Sequence, residues 1–362
     1  MNVNSIRRAA VPGIAALALL MSACGASNED GGDAEAGGLS GNLKGGGATS
    51  QEKAQEAWKV AFQGKNDGLV IDYSLLGSTD GRSQFISKAL SFAGSDSYIK
   101  DEELAAAKER CDGNVIEVPA YISSIAIAYN LPGVDELKLD SATLAKIFAG
   151  EITTWNDAAI TALNEGVELP STKIAPVHRA DDSGTTKNFT DYLGKTAEAE
   201  WPHEAEDAFP VSGGLSAEGT SGVVKQIGDT EGAIGYADAS QTGDLKTVSV
   251  KVGEEFVAPS PEGAAKTVAV SPVVEGRDAT DIAVDVDRTT TESGAYPVIL
   301  LSYLIACETY EDQEEADLVK GYLEYIVSDE GQEESAKEAG SAKLAEDTAV
   351  KAQEIVAGIS AK

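Results

Sequence analysis

Three glycine-rich turns in this sequence end in hydroxyl side chains, and each stands immediately before a run of helical character. They are Gly45-Gly46-Gly47-Ala48-Thr49-Ser50-Gln51-Glu52, Leu76-Gly77-Ser78-Thr79-Asp80-Gly81, and Arg179-Ala180-Asp181-Asp182-Ser183-Gly184-Thr185-Thr186. A helix N-terminus presents unpaired N–H groups and partial positive charge, so it holds anions. Glycine lets the backbone approach a ligand closely, and Ser or Thr adds a short O–H donor. Arg179 adds a guanidinium able to grip an oxyanion at two points. Taken singly, each turn reads as an ordinary cap: Thr49 with Glu52 fits a capping box, and Arg179 with Asp181 fits a surface ion pair. Only the set of three is unusual, and it makes an anion site if the fold brings the turns together.

The elements that must position these turns follow from apolar periodicity. Gln51 to Gln63 places Ala54, Ala57, Trp58, Ala61 and Phe62 on one helical face. Val70 to Tyr73 reads as a strand and Ser83 to Leu90 as a helix; Val115 to Tyr129 is a β-rich stretch broken by Ser123-Ser124. Short helices are predicted at Leu144 to Phe148 and Ala158 to Leu163, a strand at Lys173 to Val177, and a helix over Thr186 to Leu193. Ala233 to Tyr236, Thr247 to Val252 and Val298 to Leu304 read as buried strands, and Glu315 to Val327 as an amphipathic helix. This alternation predicts an α/β protein with mainly parallel sheets.

The chain has 362 residues, enough for two domains, with 60 acidic against 28 basic side chains and a formal net charge of −32. That balance argues against a nucleic-acid or anionic-membrane surface, since both need basic patches. An anionic ligand must therefore be held by local donors. Arg7 and Arg8 precede an apolar run from Val11 to Met21, too short to span a bilayer and suited to a signal peptide over residues 1–23. Leu20-Met21-Ser22-Ala23-Cys24 resembles a bacterial lipobox, which implies acylation of Cys24; ordinary signal cleavage is the alternative. Residues 24–40 are polar and glycine-rich and read as a flexible tether, with the folded part starting near Gly41. The remaining Cys111 and Cys307 read as one disulfide or as two thiols, because sequence does not show whether their Cα atoms approach. With His178 and His203 far apart and no Cys/His cluster, no metal site and no cofactor is expected.

At the three turns the chain resembles the phosphate-binding proteins of Pst-type ABC transporters. The matching strings are Gly-Ala-Thr in the first turn, Gly-Ser in the second, Phe92-Ala93-Gly94-Ser95-Asp96, and Arg179-x-Asp181-x-Ser183-Gly184-Thr185, in the family's order and approximate spacing. Ile147-Phe148-x-Gly150-x-Ile152-x-x-Trp155, Gly219-Thr220-Ser221-Gly222 and Gly232 to Tyr236 support them. The resemblance implies a two-lobed periplasmic-binding-protein fold of type II, a venus flytrap with a mixed sheet in each lobe. One lobe would combine 41–124 with 283–362, and the other would be 125–282. It further implies phosphate ligands at Thr49, Ser50, Ser78, Asp96, Arg179, Ser183, Gly184 and Thr185, with Asp181 holding Arg179. Ser50 stands where the family usually has Phe, and its backbone N–H is the implied donor. Implied partners are inorganic phosphate, the membrane subunits of an ABC permease, and the membrane itself through the lipid anchor; a monomer is implied.

Asp96 is informative because a carboxylate only accepts hydrogen bonds, and so requires a ligand that carries a proton. Phosphate near neutral pH has one and sulfate has none. Other oxyanions, arsenate or sulfate among them, and a phosphate-sensing receptor are the alternatives within binding proteins. A phosphatase or serine hydrolase is disfavoured by the lack of a G-x-S-x-G elbow, of a His near a Ser, and of metal ligands.

Overall fold

The computed structural model describes residues 38–362, so the signal segment, Cys24 and residues 24–37 of the tether lie outside the described residues. The described chain opens with β1 (Gly41–Gly47), a 3₁₀ turn (Thr49–Gln51), α1 (Glu52–Gln63), β2 (Leu69–Leu75), α2 (Ser78–Ile86), β3 (Phe92–Ser95) and α3 (Asp101–Cys111). The long β4 (Val115–Asn130) leads to β5 (Leu137–Leu139), α4 (Ser141–Phe148), α5 (Ala158–Leu163), β6 (Ala175–Arg179) and α6 (Gly184–Thr196). Then come β7 (Leu215–Ala217), α7 (Gly219–Asp229), β8 (Ala233–Asp238), β9 (Lys246–Val252), β10 (Glu255–Val257) and α8 (Pro261–Ala269). The chain closes with β11 (Ile299–Cys307), β12 (Thr309–Tyr310), α9 (Gln313–Val327), α10 (Asp329–Ala339), α11 (Glu346–Ala357) and β13 (Ser360–Ala361).

One strand builds both lobes. β4 runs unbroken for 16 residues, pairing through Ser124 with β11 and from Ile125 onward with β8. Ser123-Ser124 therefore does not interrupt it but marks where it changes sheets. The first sheet runs β2-β1-β3-β11-β4, and the second continues β4-β8-β6-β7, with β9 and its neighbours β5 and β10 beside it. The returning chain crosses next to the outgoing one, where the Ile125 N–H meets the Val298 carbonyl at 2.7 Å. Both sheets are mixed rather than mainly parallel: β1 is parallel to β2 and β3, while β11 and β8 are antiparallel to β4. Two crossings in opposite directions at the lobe junction impose this, and strand composition does not reveal it.

Apolar burial fixes the helices that carry the site. Ala54, Trp58 and Phe62 of α1 are buried, and the Trp58 indole N–H is satisfied by the Gly331 carbonyl at 2.7 Å. Each such aromatic contributes about 2 to 3 kcal/mol of burial. In the other lobe Phe189 of α6 stacks on Tyr236 of β8 at 4.5 Å and meets Phe148 of α4 at 4.8 Å. That cluster pins α6 so that its first turn faces the opposite lobe. Cys111 and Cys307 are joined as a disulfide, Cα atoms 5.2 Å apart, tying α3 to the end of β11. Leu39, expected in the tether, already packs on the core, and its N–H donates to the Asn66 side chain.

Candidate functional site

All three turns, together with Asp96, meet at the junction of the lobes. β1 ends at Gly47, β2 at Leu75, β3 at Ser95 and β6 at Arg179, so the four strands deliver their loops to one junction. Helices begin there earlier than apolar periodicity predicts: α2 at Ser78 rather than Ser83, and α6 at Gly184 rather than Thr186. Their first turns are polar because they face the cleft rather than the core. β6 is likewise displaced two residues from the expected Lys173 to Val177, which puts Arg179 at its end.

Asp96 is the centre of the arrangement. Its Oδ1 accepts from the Ser50 hydroxyl at 2.6 Å and the Ser302 hydroxyl at 2.7 Å, and its Oδ2 accepts from the Thr185 hydroxyl at 3.1 Å. Its own N–H donates to Ser78 Oγ at 3.0 Å. The Asn188 amide donates both to the Asp96 carbonyl at 2.6 Å and to the Gly184 carbonyl at 2.8 Å, tying the two sides of the cleft. Burial pushes the Asp96 carboxyl above the usual carboxylate range, and the hydroxyls of Ser50, Ser302 and Thr185 with the charge of Arg179 pull part of the way back. Gly184 has to be glycine: a Cβ there would lie 2.7 Å from both Asp96 Cβ and Ser78 Oγ.

Arg179 is buried, with its side chain only 2% exposed, and is not the surface ion pair its spacing allows. Its Nε donates to Asp181 Oδ1 at 2.7 Å and its Nη2 to Asp181 Oδ2, so one edge of the guanidinium is held and Nη1 is left unengaged among the described residues. Asp181 also accepts the Gly219 N–H at 3.1 Å. Burial pushes the Asp181 carboxyl up, but the hydrogen bonds and charge of Arg179 more than reverse this and hold it below the usual range. Ser183 caps α6, accepting from the N–H groups of Thr185 and Thr186 at 3.1 and 3.4 Å, which leaves its hydroxyl proton free to be donated. Thr185, by contrast, directs its hydroxyl to Asp96. Thr49 forms no capping box, since Ala48 is the cap residue and receives no side-chain bond. Its hydroxyl instead faces Thr220 across the cleft.

Ser302 and Asn188 escaped the sequence reading, and Thr220 entered it only as part of a supporting string, without a place at the site. Ser302 is the one aliphatic hydroxyl inside the run Ile299 to Ile305, which is a usable signal for a buried polar role. Thr220 sits in Gly219-Thr220-Ser221-Gly222, a fourth turn of the same glycine-hydroxyl type, opening α7. Asn188 carries no such signal. A small cavity borders Asp96 on the side of Asn188, Arg288 and Tyr303 but is not lined by Thr49, Ser78 or Arg179, so it is distinct from the converging donors. Among the described residues no cluster of His, Cys, Asp and Glu is placed to hold a metal ion, and no helix is long and apolar enough to cross a membrane.

A two-lobed α/β body with convergent donors around a buried carboxylate defines a ligand-binding protein of the periplasmic type. A profile of the PBP superfamily domain matches residues 32–330. The phosphate-binding protein PstS 3 of Mycobacterium leprae (strain TN) is 35% identical over 329 residues, covering 87% of this chain and 89% of its own. The phosphate-binding protein PstS 2 of Mycobacterium tuberculosis (strain ATCC 25618 / H37Rv) is 33% identical over 335 residues, covering 88% and 90%. Among solved structures, the high-affinity periplasmic phosphate-binding protein PfluDING, bound with phosphate, superposes with a TM-score of 0.73 at 20% identity, covering 86% of this chain and 93% of that one. The phosphate-binding protein of Stenotrophomonas maltophilia gives 0.70 at 18%, covering 87% and 94%. The chain belongs to the PBP superfamily and, within it, to the PstS family of phosphate-binding proteins.

Proposed function

We infer that this chain captures inorganic phosphate between its lobes and delivers it to an ABC-type importer, working as a binding protein outside the cytoplasm and not as an enzyme. The observation that carries the reading is Asp96: a buried carboxylate, acceptor only, at the meeting point of N–H, O–H and guanidinium donors. A dehydrated oxyanion recovers its lost hydrogen bonds from Thr49, Ser50, Ser78, Arg179, Ser183, Gly184 and Thr185, while Asp96 accepts the proton that phosphate carries. Sulfate has no proton to give, so its oxygen would face the Asp96 carboxylate, like charge against like, with no hydrogen bond between them. Sites of this kind discriminate by roughly 10⁴ to 10⁵. Oriented dipoles outweigh net charge at contact distance, which lets a strongly acidic protein bind an anion.

The lobes of this reading are 41–124 with 283–362, and 125–282. They close on phosphate, and the closed form is what the permease recognises. The protein acts as a monomer held to the membrane by a lipid on Cys24. Relatives named as phosphate-binding proteins support the ligand, and the lipobox-like string supports the anchor. Isothermal titration with phosphate and sulfate tests the site. Phosphate should bind at least about 10⁴-fold more tightly, and Asp96→Asn should narrow that gap more than it weakens phosphate. Equal affinities for the two anions in the native chain would sink the assignment.

A further inference from the structure

The polar groups behind Asp96 form a directed chain, which the Tyr73 hydroxyl joins at Gln51 Oε1 from 3.4 Å. The Tyr322 hydroxyl of α9 donates to Gln55 Oε1 at 2.9 Å. Gln55 Nε2 donates to Gln51 Oε1 at 2.9 Å, and Gln51 Nε2 donates to Ser302 Oγ at 2.7 Å. Ser302 then donates to Asp96 Oδ1 at 2.7 Å. Tyr322, Gln55, Gln51 and Ser302 are each no more than 1% exposed. The direction is fixed at Gln51, whose Nε2 also donates to the Tyr303 carbonyl at 3.3 Å, a group that only accepts. An amide nitrogen cannot accept, so Ser302 must take its hydrogen bond from Gln51 and send its one proton to Asp96.

We propose that the Tyr322-Gln55-Gln51-Ser302 relay is a specificity-determining device: it fixes Asp96 as an ionised acceptor and so sets the preference for an oxyanion that carries a proton. The proposal rests on the phosphate reading of the site. A hydrogen bond to the charged form of a carboxylate favours that form. Without the relay, burial would drive Asp96 further toward its protonated state, in which it donates and no longer rejects an unprotonated anion. Ser50 acts on the same oxygen but stands outside the relay, its hydroxyl having Asp96 as partner. Besides these hydroxyls, Arg179 and Tyr73 are the charged or titratable groups facing Asp96. Lys187, Asp191 and Lys195 of α6, with Tyr98, Asp285, Arg288 and Tyr303, line the cavity on its other side.

The test is titration of phosphate and sulfate from about pH 5 to 8 with the native chain, Ser302→Ala, Ser302→Thr and Tyr322→Phe. Loss of one hydrogen bond to a charged group is worth about ten-fold or more. Ser302→Ala should therefore lower the phosphate-to-sulfate affinity ratio by about ten-fold and move the onset of sulfate binding upward by about one pH unit. Ser302→Thr, which keeps the hydroxyl, should restore both, and Tyr322→Phe should shift both in the same direction by a smaller factor. Should Ser302→Ala fail to fold, Tyr322→Phe alone decides. A merely structural relay would lower melting temperature and leave the ratio and its pH dependence as in the native chain; that result overturns the proposal while the phosphate reading stands. If the native chain itself failed to discriminate the two anions, both would fall.

Discussion

The hydroxyl oxygens of Thr49 and Thr220 lie 3.0 Å apart across the cleft, one in the 3₁₀ turn before α1 and the other in the first turn of α7. The Thr49 carbonyl also accepts from the Gln241 amide at 2.8 Å, so one residue is tied twice to the opposite lobe. Thr49 thus carries part of the closed arrangement as well as an expected ligand contact.

Thr220→Ala and Gln241→Ala each remove a contact that exists only when the lobes meet. Each should weaken phosphate binding by about 0.5 to 1.5 kcal/mol, or roughly 2- to 12-fold, chiefly through faster release. The melting temperature without phosphate should hardly move. Stopped-flow release rates with calorimetric affinities check this; a loss confined to the association rate would contradict it.

A second tie runs through Asp207. Its carboxylate meets Arg82 at 3.3 Å and Lys100 at 3.1 Å from the other lobe, while its carbonyl accepts the Ser183 N–H at 2.8 Å. Burial pushes the carboxyl up, but Arg82 and Lys100 outweigh this and hold it below the usual range. A depressed carboxylate contributes above its ordinary pKa and loses that contribution as pH falls through the lowered value. Asp207→Asn should cost about 2 kcal/mol of phosphate affinity near neutrality, roughly 30-fold. The gap to the native chain should hold down to about pH 4 and shrink below it. A gap that widens in acid would contradict the latch.

Gly184→Ala places a methyl group against Asp96 and Ser78 across the cleft. Overpacking of this kind costs about 1 to 3 kcal/mol, so phosphate affinity should fall about 5- to 160-fold. The clash arises on closure, so thermal unfolding without phosphate should change little.

The cleft residues were legible mainly as motif types, and the elements mainly where they touch the core. The Trp58 face of α1 and the apolar runs of β8 and β11 carry a clear period because burial selects it. The first turns of α2 and α6 were missed for the same reason, since Ser78 and Gly184 face the cleft and obey its chemistry instead. Ser123-Ser124 stood out in composition, but as a break rather than a change of sheet, because β4 is buried on both sides of it. Asn188 and the Gln51 relay depend on contacts between distant segments, which no local pattern encodes.

The place of β11 in the first sheet has a consequence for how the molecule is made. This strand fills the gap between β3 and β4, yet it is supplied by residues 299–307, late in a chain of 362. A polypeptide emerging from its N-terminus cannot complete that layer until most of its length is available, and pairing over such separations is slow. The meeting of Asp96 with Ser302, a residue of this late strand, is therefore among the last features of the cleft to form.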